Sequence, residues 1–115
     1  MNRYNERDFD YIAAILDHCD RISSLVLRFG DNFENFLTDD AYSDSVLMNI
    51  FQIGEAASKL SDECKERLAD IPWHKIVGTR NVIAHGYIKI NYEIIWEIAN
   101  SDIPALKSRL EKESC

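Results

Sequence analysis

Apolar residues recur at a helical spacing between residues 41 and 60, and no other feature limits the possible fold as much. Val46, Ile50, Ile53, Ala57 and Leu60 follow one another in alternating steps of four and three. That spacing places all five on one face of an α-helix, where they can pack against a neighbouring helix. The pattern predicts a long helix with one buried face.

Similar patterns lie on both sides of this segment. They predict a helix over residues 10–29 that ends at Gly30, one or two turns within residues 31–40, and a helix over residues 72–86. Only the short stretch GYIKINY resembles a strand, and it has no partner strand. We therefore predict an all-α bundle of four or five helices that forms a single domain over residues 1–115.

Several helix ends carry recognisable capping residues. Ser61 and Asn91 are of the types that cap helix N-termini, since their side chains can accept a hydrogen bond from a free backbone N–H. After Asn91 the predicted apolar face comprises Ile94, Ile95, Trp96, Ile98 and Ala99. Pro104 should bend or restart this last helix, with Asp102 as the new cap.

Gly54 lies in the middle of the predicted helix over residues 41–60. A glycine there costs about 1 kcal/mol relative to alanine, so its presence indicates that another backbone passes close by. That neighbour could belong to the same chain or to a second protomer. Glu55 is a carboxylate in an otherwise apolar stretch; it is either solvated or a partner of Arg80 across the core.

The charge distribution limits the classes of function. A formal net charge of -7 argues against non-specific binding of nucleic acid by the whole surface. Between Asp70 and Glu93, however, there is no acidic residue, whereas Lys75, Arg80 and Lys89 all occur there. The sequence thus predicts a local basic site that could attract a phosphate group.

Neither a membrane segment nor a metal site is expected. No apolar run approaches the roughly 20 residues of a membrane span, and the N-terminus lacks the apolar core of a signal peptide, so we expect a cytoplasmic protein without membrane association. The three cysteines, Cys19, Cys64 and Cys115, lack a C-x-x-C spacing. We expect neither a disulfide framework nor a metal or other cofactor.

The segment GTRNVIAHGY carries the residues best suited to catalysis. Arg80 can hold phosphate oxygens in a fork and His85 can exchange a proton near neutral pH, a pair suited to phosphodiester cleavage without a metal. On an ideal helix His85 lies about 140° round from Arg80, with Asn81 between them in angle. A purely structural alternative explains the spacing at least as well as catalysis does. In it, Arg80 is a solvated cation, His85 caps the helix and Tyr87 is a half-buried aromatic residue.

This chain resembles the HepT-like branch of the HEPN-domain ribonuclease toxins. RNVIAHGY matches the family signature R-x-x-x-x-H-x-Y, and FQIGEAASKLSDE, IPWHKIVGTRN and YEIIWEIANSDIPALKSRLEK look like the family's helices. The resemblance covers nearly the whole chain. Thr79 stands where these proteins often have a methionine.

The resemblance implies a function and a role for each matching residue. Arg80 and His85 would be the catalytic pair of a metal-independent RNA endonuclease, with Asn81 as a supporting polar residue. The protein would act as a homodimer with both motifs in a shared cleft. It would be the toxin of a type VII-like toxin–antitoxin pair, and an MntA-like minimal nucleotidyltransferase antitoxin would attach AMP to Tyr87. The added phosphates would bring negative charge and bulk to the place where RNA should bind.

A second interpretation assigns the chain to a different functional class. The bundle could be a non-catalytic docking partner or subunit of a nucleotidyltransferase. Substitution of Arg80 or His85 separates the two, because only the nuclease predicts that one such change relieves growth arrest while folding and partner binding persist.

Overall fold

The computed structural model describes residues 6–85 and 90–113. For Glu6 it describes the backbone alone. Within these ranges the chain is helical and contains no strand, which confirms the all-α prediction. The helices are α1 (Glu6–Phe29), α2 (Phe33–Thr38), α3 (Asp40–Lys59), α4 (Asp62–Arg67), α5 (Trp73–His85), α6 (Tyr92–Glu97) and α7 (Ile103–Lys112). A π-helical turn, Ile98–Asp102, joins α6 to α7.

Helix α3 is the central element, since it packs against both α1 and α5. The five residues whose spacing predicts its buried face are all buried, as are Ile15, Cys19 and Ile22 of α1. Burial raises the pKa of the Cys19 thiol from 9.0 to about 12. Cys64 is also buried, so both described cysteines belong to the apolar interior.

Local hydrogen bonds set most helix ends where the sequence predicts them. Gly30 follows α1 with a φ of 104°, a conformation that glycine adopts without strain. The Ser61 side chain accepts a hydrogen bond from the Cys64 backbone at 3.1 Å, and Asn91 Oδ1 accepts from Glu93 at 3.0 Å. Both predicted N-caps are therefore confirmed.

Aromatic rings close the end of the bundle where α2, the start of α3 and α6 meet. Phe36 is fully buried, and its ring centroid lies 5.4 Å from that of Tyr42 and 5.1 Å from that of Trp96. The Tyr42 hydroxyl donates to the Gly30 carbonyl at 3.0 Å. The short helix predicted within residues 31–40 thus covers the end of the core.

Two predictions about the last helical segment are wrong. Asp102 does not cap a new helix: its backbone is helical, its side chain makes no capping hydrogen bond, and it forms an ion pair with Lys75. Pro104 has no N–H for the carbonyl four residues earlier, and it lies in the first turn of α7, which begins at Ile103 directly after the π turn. Ile94, assigned to the buried face, is exposed because the core contacts on α6 come from Ile95.

Candidate functional site

The candidate site begins at the crossing of α3 and α5, where Gly54 lets the two helices approach closely. A Cβ atom at Gly54 would overlap the Arg80 side chain and lie 3.2 Å from the Ile76 carbonyl oxygen. The close neighbour that Gly54 predicted is therefore helix α5 of the same chain. This contact brings Arg80 directly against α3.

Three groups hold the Arg80 guanidinium in place. Its Nε donates to Glu55 Oε1, so of the two alternatives for Glu55, solvation or a partnership with Arg80, the structure shows the second. Its Nη1 donates to Asn81 Oδ1 at 2.7 Å, and its Cζ lies 5.9 Å from the centre of the Phe51 ring. The side chain is only 31% exposed, so its orientation is determined by the fold.

One edge of the guanidinium is left for another molecule. Within the described part of the chain, no acceptor bonds Arg80 Nη2, whereas Nε and Nη1 are both engaged. Arginine binds phosphate oxygens through two neighbouring N–H groups. The arrangement can therefore offer the Nη2 group and the second hydrogen of Nη1 to an anion.

His85 is the last residue of α5, and it is exposed. Five residues along an α-helix correspond to a rise of about 7.5 Å and a rotation of about 140° from Arg80. The structure thus joins Arg80 to Asn81 by a hydrogen bond and leaves His85 farther along the same helix. Tyr87 lies outside the described residues, so its predicted role stays a prediction.

Ion pairs from distant parts of the sequence reduce the predicted basic character of this region. Lys75 Nζ lies 3.5 Å from Asp102 Oδ2, and Arg80 is paired with Glu55. Lys89 lies outside the described ranges. The absence of acidic residues between positions 70 and 93 therefore overstates the local positive charge, because the fold supplies carboxylates from α3 and from the π turn.

Phe51 is the contact that the sequence analysis did not identify. It lies four residues before Glu55 and so occupies the same face of α3. The sequence did contain a signal for this contact, namely an aromatic residue one helical turn before Glu55. An arginine that pairs with Glu55 can also stack on Phe51.

Neither a membrane span nor a metal cluster occurs in the described ranges. None of the helices there combines the length and apolar character that crossing a bilayer requires. No group of three or more His, Cys, Asp or Glu side chains converges there as a metal site.

The fold and the site together define an all-α bundle with a charged, partly open helix crossing that can bind an anion. Residues 15–113 match the family model described as "Ribonuclease HepT-like". The chain belongs to the HepT-like ribonuclease family, as its sequence resemblance predicts.

Curated relatives cover most of the chain. The "Putative RNase TTE0752" of Caldanaerobacter subterraneus subsp. tengcongensis is 32% identical over 102 residues, which cover 89% of each protein. The "Probable ribonuclease HepT" of Thermococcus cleftensis is 31% identical over 90% of this chain and 92% of its own length. The "Putative RNase MJ0125" of Methanocaldococcus jannaschii is 31% identical over 89% of this chain and 86% of its own. No solved structure matches the chain significantly.

Proposed function

We propose that this protein is a metal-independent endoribonuclease, with Arg80 and His85 as its catalytic pair and Asn81 as a supporting residue. The observation that carries the proposal is the fixed guanidinium of Arg80, which Glu55, Phe51 and Asn81 orient. A cation that is already oriented loses little side-chain entropy when it binds a phosphate. Membership of a ribonuclease family supports RNA as the substrate.

The proposed reaction needs the substrate, these side chains and one further proton donor. The RNA 2′-oxygen bonds to the neighbouring phosphorus while the bond from phosphorus to the 5′-oxygen breaks. His85 takes the proton from the 2′-hydroxyl, and the departing 5′-oxygen is protonated by a second acid, for which water or the other His85 of a dimer suffices. Arg80 neutralises the negative charge on the phosphate oxygens. The products carry a 2′,3′-cyclic phosphate and a 5′-hydroxyl.

A homodimer would place two such sites together. Met48 on α3 is 57% exposed and Val82 on α5 is 59% exposed, and these apolar side chains lie on the two helices that form the site. A second copy of the chain that covers them would lose apolar surface from water. Sedimentation analysis tests this part: we expect a dimer for the wild type and a monomer for Met48→Glu/Val82→Glu. A folded double variant that remains dimeric would place the interface elsewhere.

Regulation by AMP transfer to Tyr87 completes the proposed toxin–antitoxin function. Tyr87 follows His85 by two positions in the sequence, and two residues of chain span at most about 7 Å. A phosphate attached there would repel the RNA backbone and occupy space beside the catalytic pair. An MntA-like nucleotidyltransferase with ATP should add AMP to the wild type and leave Tyr87→Phe unmodified, as measured by intact-protein mass. Modification of both proteins alike would exclude Tyr87 as the acceptor.

The decisive experiment is cleavage of labelled RNA in EDTA by the wild type and by His85→Ala. Because His85 is exposed, its removal should leave the fold intact, and circular dichroism verifies this. We expect only the wild type to cut and its products to end in 2′,3′-cyclic phosphate. Cleavage that EDTA abolishes would disprove the metal-independent mechanism, and equal cleavage by both proteins would remove His85 from it.

One observation favours the non-catalytic docking bundle instead. The pair of Glu55 and Arg80 joins α3 to α5, and a purely structural ion pair would do the same. Under this alternative, Arg80→Ala would weaken the bundle, and neither the wild type nor any variant would cut RNA. Absence of cleavage across several RNAs, with the oligomeric state verified, would support it.

A further inference from the structure

A second site, separate from Arg80 and His85, lies between α3, α5, the π turn and α7. It is a cavity of about 260 Å³ that is partly open to solvent. Six of its fourteen lining residues are isoleucines: Ile50, Ile53, Ile71, Ile76, Ile98 and Ile103. Pockets between the helices of a bundle are a common location for small-molecule sites.

The rim of the cavity carries charges that neutralise one another. Lys75 Nζ lies 3.5 Å from Asp102 Oδ2 on one side, and Arg109 binds both oxygens of Asp70, at 2.6 and 3.1 Å, on the other. The hydrogen bond from Arg109 is the main cause that lowers the pKa of Asp70, so both members of that pair are charged at neutral pH. Arg109 also pairs with Glu113 at 3.4 Å, outside the lining, so every charged group of the lining already has a partner of opposite charge and none is left for an ionic ligand.

The remaining polar side chain among the lining residues also has a hydrogen-bond partner within the protein. The hydroxyl of Thr79 donates to the Lys75 carbonyl at 3.0 Å, within α5. A charged ligand would therefore have to break an ion pair at the rim or enter an apolar wall unpaired, and both are costly. The lining thus selects an uncharged molecule.

The π turn helps to form the cavity. Ile98 and Asp102, its first and last residues, both line the cavity, so the widened turn directly shapes one wall. Single π turns inside α-helices occur frequently at functional sites. A tight α-helical turn at this point would shift one or both of these residues from the wall.

We propose that this cavity binds a small, uncharged and mainly apolar molecule. An engineered apolar cavity of about 150 Å³ holds benzene, so this larger one accommodates a fused aromatic ring system. The ligand would contact Thr79, directly before Arg80, and Ile76, one helical turn before it, and would thus bridge α5 to the π turn and α7. The proposal stands independently of RNA cleavage.

The test uses the purified full-length chain and two fluorescent probes of opposite character. 1-Aminoanthracene is a neutral fused-ring probe that brightens in apolar surroundings, and 8-anilinonaphthalene-1-sulfonate is an anionic one. We expect saturable binding of the neutral probe with one site per chain and a rise in melting temperature. Absence of saturable binding would overturn the proposal, and binding of only the anionic probe would overturn the assignment of an uncharged ligand.

Two variants locate the binding. Ala105 lines the cavity but is itself exposed, so Ala105→Phe should fill the space without disturbing the core and weaken neutral-probe binding at least about tenfold. Ala13→Phe on α1 is the matched control, because Ala13 is also an exposed helical alanine but lies outside the cavity. Thr79→Leu blocks the cavity from α5 should Ala105→Phe prove unfolded. Unchanged affinity in a folded blocking variant, or equal loss in the Ala13 control, would disprove the location.

Discussion

The two halves of helix α3 illustrate how one helix serves two purposes. Its first half carries Tyr42, which packs in the aromatic end of the bundle with Phe36 and Trp96. Its second half carries Gly54 and Glu55, which receive Arg80 at the open crossing with α5. The first region buries apolar surface and contributes stability, whereas the second holds a charged group part-exposed and in a fixed orientation.

The two regions also differ in charge. Residues 30–58 contain no lysine or arginine, and Asp31, Asp39, Asp40 and Asp44 lie in the same stretch of sequence as Phe36 and Tyr42. At the crossing, one carboxylate meets one guanidinium. An approaching RNA strand would be repelled at the first region and could bind at the second, so the comparison agrees with the proposed location of cleavage.

Truncation of Phe36 should have the largest effect, and this effect should be on the stability of the fold and not on the catalytic residues. Phe36→Ala removes a fully buried ring, so we expect the free energy of unfolding to fall by about 3–5 kcal/mol. Leu37→Ala is the matched control because Leu37 is a neighbouring but exposed side chain, and it should cost much less. Denaturant titration measures both. Similar losses for the two variants would show that the aromatic end does not stabilise the bundle through burial.

Removal of Arg80 should have the opposite signature, with a large loss of activity and a small loss of stability. We expect kcat/KM for RNA to fall about 100- to 1,000-fold in Arg80→Ala, the effect of losing one positioned charge-stabilising group. Arg28 is the control, since its Cζ lies 5.3 Å from the Phe29 ring and so resembles the contact between Arg80 and Phe51. Comparable activity of the two alanine variants would place phosphate binding elsewhere.

Gly54→Ala should show whether the close approach of α5 outweighs the gain in helix propensity that alanine normally brings to the free energy of unfolding. The new Cβ would push α5 away from α3, and we expect a net destabilisation of about 1–3 kcal/mol. At Gly78 of α5 a new Cβ meets nothing within 4 Å, so Gly78→Ala should stabilise by up to about 1 kcal/mol. Thermal unfolding compares the two variants, and shifts of the same sign would show that α5 does not pass close to Gly54.

The smallest effect is expected for Glu55→Gln, which keeps the shape and removes the charge. The amide oxygen of the substituted side chain can still accept from Arg80 but binds it less strongly, so we expect kcat to fall about tenfold, with little change in KM. Glu97→Gln is a control at an exposed carboxylate on α6. Unchanged folding and activity in Glu55→Gln would show that Glu55 does not position Arg80.

The sequence predicted those parts of the fold that depend on near neighbours. The buried face of α3, the stop at Gly30 and the caps at Ser61 and Asn91 all involve residues within about four positions of one another. The predicted cap at Asp102 failed because its partner, Lys75, lies in a different helix. The exposure of Ile94 likewise depends on how α6 packs, which periodicity alone does not specify.

The candidate site likewise has features that the sequence predicted and features that only the fold decided. The sequence by itself placed Arg80, Asn81 and His85 together on one helix and indicated, through Gly54, that a backbone would pass close to α3. Only the tertiary structure decided that this backbone is α5, that Glu55 and Phe51 orient Arg80, and that the π turn, α3 and α5 enclose a cavity. The bond between Arg80 and Glu55 joins positions 25 residues apart. Such contacts depend on how two helices cross, and crossing is set by the packing of the whole core.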